Sequence, residues 1–361
     1  SEMCIRDRVY EEEIEKAYEK VEDEIIDSLE IAKENIERFH FITLVEKDIK
    51  IDFGDMVLGK RYVPFSRVGL YIPGGRASYP STALMMGIAA KVAGVKNVIA
   101  CTPPDRSGKV KPLTLVACDI AGIDEIYSVG GAQAIAAMAY GTESIKKVEK
   151  IAGPGNIYVT VAKILVQNEV AIDMPAGPTE IMIIADEEAN AKYIVLDVMA
   201  QLEHDPMAIA VLLTPSIELA KAVEEKIRKI TNEKINFAIS IVTDIKQAIK
   251  LANEFAPEHL CLFLKNPDKY LDKIRNAGSV FLGENSPVAA GDYASGPNHV
   301  LPTMGYAKFY SGLSAETFLK SFTYQKLSKQ ALRRIKDVII KLALAEGLPY
   351  HAKSVEERFI E

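Results

Sequence analysis

Glu258 and His259 stand side by side in Asn253-Glu254-Phe255-Ala256-Pro257-Glu258-His259-Leu260-Cys261-Leu262, where an apolar run begins. A neutral imidazole takes a proton near pH 7, and a carboxylate with a raised pKa can activate water. Pro257 fixes the backbone ahead of the pair and biases Ala256 away from helix. The pair is therefore expected at a loop-to-strand junction, where its side chains are aimed with little freedom. Taken alone, an adjacent Glu and His are more often a surface carboxylate beside a half-buried ring, so the rest of the chain must decide.

Three other segments carry candidate chemistry. Gln201 and His204 stand three apart at the end of a predicted helix and share a face. An amide oxygen and an imidazole there could hold a metal, although Gln is an uncommon ligand. The alternative is a His interacting with the helix dipole. Gly291-Asp292-Tyr293-Ala294-Ser295-Gly296-Pro297-Asn298-His299 is the densest polar segment. It reads as a long polar loop, of a kind that is usually functional. Asp292 is a candidate hard metal ligand there and His299 a candidate substrate contact; the alternative is an ordered surface loop. Glu346 and His351 are unusual in a plain tail, where helix capping and a frayed end would otherwise account for them. The turns Pro73-Gly74-Gly75, Gly130-Gly131-Ala132-Gln133 and Gly153-Pro154-Gly155-Asn156 follow strands or open helices. Glycines there let a phosphate approach backbone N–H groups at a helix N-terminus. Tight turns need glycine anyway, and no Gly-x-Gly-x-x-Gly fingerprint is present.

The elements that must hold these residues alternate between strand and helix. Residues 10 to 40 have apolar positions at helical spacing, read as one long amphipathic helix or two with a break near Asp27-Ser28. From about Lys60, predicted strands at 68–72, 97–101 and 125–129 alternate with helices at 82–93, 113–121, 134–140 and 157–167. A second series follows, with strands at 180–185, 208–213, 239–242, 259–264 and 279–282 and helices at 191–204, 217–230, 245–255 and 270–276. The tail is helical through 327–345, ended by Gly347 and Pro349. The fold class expected is α/β, with two doubly wound parallel-sheet, incomplete Rossmann-like domains and helical N- and C-terminal segments. The expected division is a helical segment over 1–66 joining the second α/β domain, α/β domains over 67–179 and 180–312, and a helical tail over 313–361.

The chain of 361 residues, nearly half of them hydrophobic, can bury a large core. Its net charge of −7 without a basic block argues against a nucleic-acid surface. No apolar run reaches membrane-span length and no signal-peptide pattern opens the chain. The four cysteines, Cys4, Cys101, Cys118 and Cys261, are far apart and read as reduced thiols of a cytoplasmic protein.

Together these segments resemble the histidinol dehydrogenase family, from about Tyr10 to about Phe359. The motifs that carry the resemblance are long: Gly69 to Gly75, Val129 to Ala137 (VGGAQAIAA), Gly153 to Asn156, Asp173 to Glu180 (DMPAGPTE), Gln201 to His204 (QLEH), Pro257-Glu258-His259-Leu260, and Gly278 to Pro302. The resemblance implies oxidation of L-histidinol to L-histidine through L-histidinal, the last step of histidine biosynthesis, with two hydride transfers to NAD. It also implies one zinc per subunit, which orients the substrate. Matched residue by residue, Gln201, His204, Asp292 and His351 correspond to zinc ligands and Glu258 and His259 to the acid–base pair. Tyr71, Gln133 and Asn156 correspond to NAD contacts. Thr179, Gln201, His204, His259, Asp292, Glu346 and His351 correspond to substrate contacts; Thr179 is commonly serine in the family, and the hydroxyl is kept. The resemblance further implies a homodimer whose tail contributes to the other subunit's site. Family members carry several dozen more residues ahead of the Tyr10 helix, which help to build the N-terminal part and the dimer, and every matched site lies later. The alternatives are a related zinc and NAD dehydrogenase acting on another amino alcohol or a sulfonated diol, and a binding protein of the same fold without activity. The acid–base pair precedes its strand, whereas open α/β sheets bind ligands at strand C-termini, so the site is expected to be completed from elsewhere.

Overall fold

The computed structural model describes residues 7–74, 78–231 and 235–360; Cys4, Gly75 and the opening residues 1–6 lie outside the described residues. Along the chain run helices α1 (Glu11–Tyr18) and α2 (Asp23–Thr43), strands β1 (Asp48–Asp52), β2 (Met56–Pro64) and β3 (Arg67–Tyr71), then α3 (Pro80–Ala93), β4 (Asn97–Cys101), α4 (Pro112–Ile120), β5 (Glu125–Tyr127), α5 (Gly131–Tyr140), β6 (Lys150–Ala152), α6 (Ile157–Val166) and β7 (Ala171–Ile172). The alternation resumes with β8 (Glu180–Ala185), α7 (Ala191–Leu202), β9 (Ile209–Thr214), α8 (Ile217–Ile230), β10 (Phe237–Ile241), α9 (Ile245–Phe255), β11 (His259–Phe263), α10 (Asp268–Leu271), β12 (Ser279–Leu282) and α11 (Val288–Tyr293). It closes with β13 (Leu319–Leu327), α12 (Lys329–Ala345) and α13 (Pro349–Glu356).

The described residues pack as two units, one holding the chain up to Leu44 with Phe65–Phe318, the other Val45–Pro64 with the chain from Leu319 onward. The larger unit contains two five-stranded sheets, ordered β5-β4-β3-β6-β7 and β10-β9-β8-β11-β12, with every pairing parallel. Counted within each half, both sheets run 3-2-1-4-5, the doubly wound order without its sixth strand. The expected α/β class is therefore what the chain adopts.

Burial explains the parallel arrangement. All six residues of β8 (Glu-Ile-Met-Ile-Ile-Ala) are buried. Ile181 and Ile183 face a cluster with Ile194, Val198 and Val223 of α7 and α8, while Met182 and Ile184 face Ala248, Ile249 and Ala252 of α9. Side chains alternate faces along a strand, so a strand covered by helices on both faces must be apolar throughout. Polar caps start the covering helices: Asn190 accepts from Lys192 N, Ser216 from Leu219 N and Asp244 from Gln247 N.

The strand order reverses between β3 and β6 in the first sheet and between β8 and β11 in the second. Tyr71 ends β3 and Gly153 follows β6 at this reversal, the position at which doubly wound sheets bind nucleotides. The equivalent position after β8 and β11 is laced shut: Asp186 N donates to Phe263 O at 3.2 Å, and the Asp186 carboxylate accepts from Lys265 N at 2.8 Å and Glu188 N at 3.2 Å.

Three elements depart from the sequence reading. The N-terminal helical pattern breaks between Tyr18 and Asp23, not at Asp27-Ser28; Glu22 is extended and Asp23 and Glu24 occupy the first turn of α2, where carboxylates meet the positive end of the dipole. These helices pack on the first sheet's covering layer, α1 against α4 and α2 against α3. Residue Asp292 sits in a short helix, α11, rather than in a loop. The smaller unit holds an antiparallel sheet ordered β1-β2-β13. All five residues of β1 are exposed, so it has no apolar face to read, and β2 pairs with β13 from the far end of the chain. In the tail, Gly347 (φ 75°) breaks α12 and Pro349 opens α13 at its first position, so Pro349–Glu356 is helical rather than frayed.

Candidate active site

Parallel pairing of β11 with β8 sets His259 opposite Ile181, which brings Glu258 abreast of Glu180 at the N-terminal edge of the sheet. The chain reaches this edge from α9 through Ala256, held at φ 60° with its N–H on Ala252 O. As Pro257 leads one to expect, Ala256 has left the right-handed helical region. The backbone of Glu180 then serves both residues of the pair. Its N–H donates to Glu258 Oε2 at 2.9 Å, and its carbonyl lies 3.2 Å from His259 Nδ1.

That contact sets the tautomer. A carbonyl oxygen only accepts, so Nδ1 carries the proton and Nε2 carries the lone pair. Nε2 is buried with no hydrogen-bond partner, and Asp292 Oδ1 lies 3.8 Å away. Glu258 Oε2 also accepts from the Thr179 hydroxyl. With its proton committed to the carboxylate, Thr179 Oγ1 can only accept from Gln201 Nε2, which leaves Gln201 Oε1 as the unspent end of that buried amide.

Burial pushes the Glu258 carboxyl up to about 7, against the lowering effect of Thr179, the Glu180 N–H and the His204 ring. Burial likewise holds His259 below the ordinary imidazole value, with Asp292 acting the other way. Asp292 is raised to about 6 and Glu180 to about 7, both chiefly by burial. Near neutral pH the site thus offers a free imidazole and a carboxyl poised between its two forms.

His259 lines a cavity of about 380 Å³ whose walls include Phe281, Asp292, Asn298 and His299. His299 spends both ring nitrogens within the protein. Nδ1 donates to the Asp292 carbonyl at 2.7 Å, so Nε2 accepts from the Thr82 hydroxyl at 3.2 Å. Its ring braces Asp292 rather than waiting for a ligand. Asn298 continues the brace, donating to Met85 O at 2.7 Å.

The donors fit a hard or borderline cation. Gln201 Oε1 is left over by its amide's other bond, the His204 ring acts electrostatically on both Glu258 and His259, and the half-buried Asp292 carboxylate lies 3.8 Å from His259 Nε2. Oxygen and imidazole donors suit zinc. Among the described residues no group of three or more His, Cys, Asp and Glu is gathered for a metal; the expected set counts one Gln and one residue, His351, of the smaller unit. In that unit His351 is exposed in α13 and Glu346 is exposed at the C-cap of α12.

The expected nucleotide contacts lie at the first sheet's C-terminal edge. The Tyr71 hydroxyl accepts from Gly131 N at 2.9 Å, Gln133 is exposed in the first turn of α5, and Asn156 caps α6 by accepting from Tyr158 N and Val159 N. Sequence reasoning missed Glu180, whose peptide holds the pair. Its signal was a lone carboxylate at the head of an otherwise apolar strand. It also missed Thr82, which has no signal of its own inside an apolar helix.

The profile of the family described as histidinol dehydrogenase matches residues 4–359. The histidinol dehydrogenase of Archaeoglobus fulgidus is 63% identical over 351 residues, spanning 97% of this chain and 87% of that protein. That of Methanocaldococcus jannaschii is 50% identical over 361 residues, spanning 97% and 84%. A crystal structure of histidinol dehydrogenase from Elizabethkingia anophelis superposes with a TM-score of 0.94 at 42% identity, covering 98% of this chain and 84% of that one. With the site geometry, these matches establish that the chain belongs to the histidinol dehydrogenase family.

Proposed function

We propose that this protein oxidises L-histidinol to L-histidine in the cytoplasm, through L-histidinal, as the last step of histidine biosynthesis. The observation that carries the reading is His259: Nδ1 tied to the Glu180 carbonyl, Nε2 buried without a partner in the cavity wall, and Glu258 alongside. In the first oxidation Nε2 takes the proton of the substrate hydroxyl. NAD, when bound, accepts the hydride in each of the two oxidations. In the second, Glu258 takes a proton from the water that adds to the aldehyde; two donors hold its Oε2, which leaves Oε1 to act. Thr179 keeps the carboxylate in place through the first bond of that pair.

Gln201, His204 and Asp292 would hold zinc together with His351, and zinc, when bound, supplies a fixed point that orients the substrate. Thr179, His259 and Glu346 complete the proposed substrate contacts. Tyr71, Gln133 and Asn156 are the proposed NAD contacts. The proposed assembly is a homodimer in which His351 and Glu346 of one chain complete the site of the other. NADH absorbance with L-histidinol, with and without a zinc chelator, tests the reading. Turnover that the chelator abolishes is expected. Absence of turnover in zinc-loaded protein, or turnover of another amino alcohol in preference, overturns it.

A further inference from the structure

Helix α6 is apolar on nearly every side, Ile-Tyr-Val-Thr-Val-Ala-Lys-Ile-Leu-Val, with one ammonium in its interior face. Lys163 is 2% exposed. A buried ammonium persists only where acceptors and a counter-charge surround it. Lys163 Nζ donates to Gly153 O at 2.8 Å and to Met174 O at 3.0 Å, and it is ion-paired with the carboxylate of Asp173. Asp173 Oδ2 in turn accepts from Gly153 N at 2.7 Å. Gly153 is thus held at its N–H and its carbonyl by one ion pair. One turn earlier on the helix, the Thr160 hydroxyl donates to Ala176 O.

Two segments meet on this pair. One is the Gly153-Pro154-Gly155-Asn156 turn, at the point where the strand order reverses. The other is Asp173 to Thr179, which leads into β8 and the hydroxyl that holds Glu258. Gly153 has φ 129°, and a Cβ there would lie 2.2 Å from Tyr71 O, so the turn is pressed against the end of β3. Nothing in the proton transfers uses Lys163 or Asp173, and a buried ion pair is weak evidence for stability alone.

We infer that Lys163 and Asp173 are positioning residues that lock the turn at Gly153–Asn156 to the segment carrying Thr179, and so set the nucleotide's distance from the acid–base pair. The inference rests on the proposed function, in which that turn receives NAD. Its consequence is a split in the kinetics. Loosening the lock weakens nucleotide binding and misaligns hydride transfer, while histidinol binding is kept, because the Gln201–Thr179–Glu258 bonds do not run through the pair.

Lys163→Met alone strands a buried carboxylate and puts folding at risk. The Lys163→Met/Asp173→Asn double variant removes both charges, keeps an acceptor for Gly153 N and frees the two carbonyls. The expected result in the full-length, zinc-loaded protein is an NADH dissociation constant raised about tenfold by fluorescence titration and a severalfold fall in kcat. Zinc content and the KM for L-histidinol stay within about twofold. Unchanged NADH binding and kcat, with only a lower melting temperature, make the pair a plain structural one and overturn the inference. Loss of zinc and histidinol affinity along with NADH also overturns it, as a general collapse. If the unaltered protein binds no NADH, the proposed function fails first and this inference falls with it.

Discussion

At the scale of single residues, the site concentrates groups that burial disfavours in their charged forms. His259→Asn removes the unpartnered Nε2, and turnover of both histidinol and histidinal is expected to fall about 10²–10⁴-fold with zinc still bound. Retained turnover, or loss of the metal on elemental analysis, would contradict the role given to the ring. Glu258→Gln is expected to impair histidinal oxidation more than histidinol oxidation, as single-turnover measurement of the two half-reactions would show. It also carries a pH signature. The folded value of about 7 lies above the ordinary 4.5, because of burial. Between those two values the folded chain holds a proton that the unfolded chain has lost, so stability is full below about 4.5 and declines as pH rises through about 7. With chelator present, the melting temperature of Glu258→Gln is expected to drop less than that of the parent between pH 5 and pH 8. The difference is on the order of 2 kcal/mol, the scale of the pKa shift. Equal slopes would mean that Glu258 is not the group titrating.

At the scale of elements, caps and turns aim these groups. Asp244 caps α9, the helix that delivers Ala256 and Pro257 to the pair, by accepting from Gln247 N at 2.8 Å. Asp244→Ala is expected to cost about 1 kcal/mol of stability in denaturant unfolding, with kcat of the folded enzyme unchanged. A matching fall in kcat would show that the cap also sets the pair's geometry. The strands of the larger unit were legible because β8 and its neighbours are apolar runs bounded by Gly, Pro and Asp, which local burial dictates. The strands β6 and β7 were not, being three and two residues long. Nor was β1, whose five residues are all exposed. As candidates, the pair, the Gln201–His204 spacing and Asp292 could be named from residue type and sequence context. The Glu180 peptide could not, because a backbone contact leaves no trace in side-chain chemistry, and Lys163 left only the oddity of one cation in an apolar helix.

At the scale of the whole molecule, the proposed dimer makes a claim that mixing can decide. A His351→Ala chain and a His259→Asn chain, each inactive alone, are expected to regain activity once dissociated and reassociated, because a mixed dimer has one intact site. Mixed dimers that form and stay inactive would place both residues of a site on one chain. The two sheets share one wiring, and in the proposed reading they are used from opposite edges. The first offers Tyr71 and Gly153 at strand ends, and the second offers Glu258 and His259 at strand starts, its usual mouth tied off by Asp186. Fold analogy would therefore set a ligand of the second sheet at the wrong end. At about 3.3 Å per residue over a five-residue strand, a substrate docked there would lie roughly 17 Å from the proposed acid–base pair.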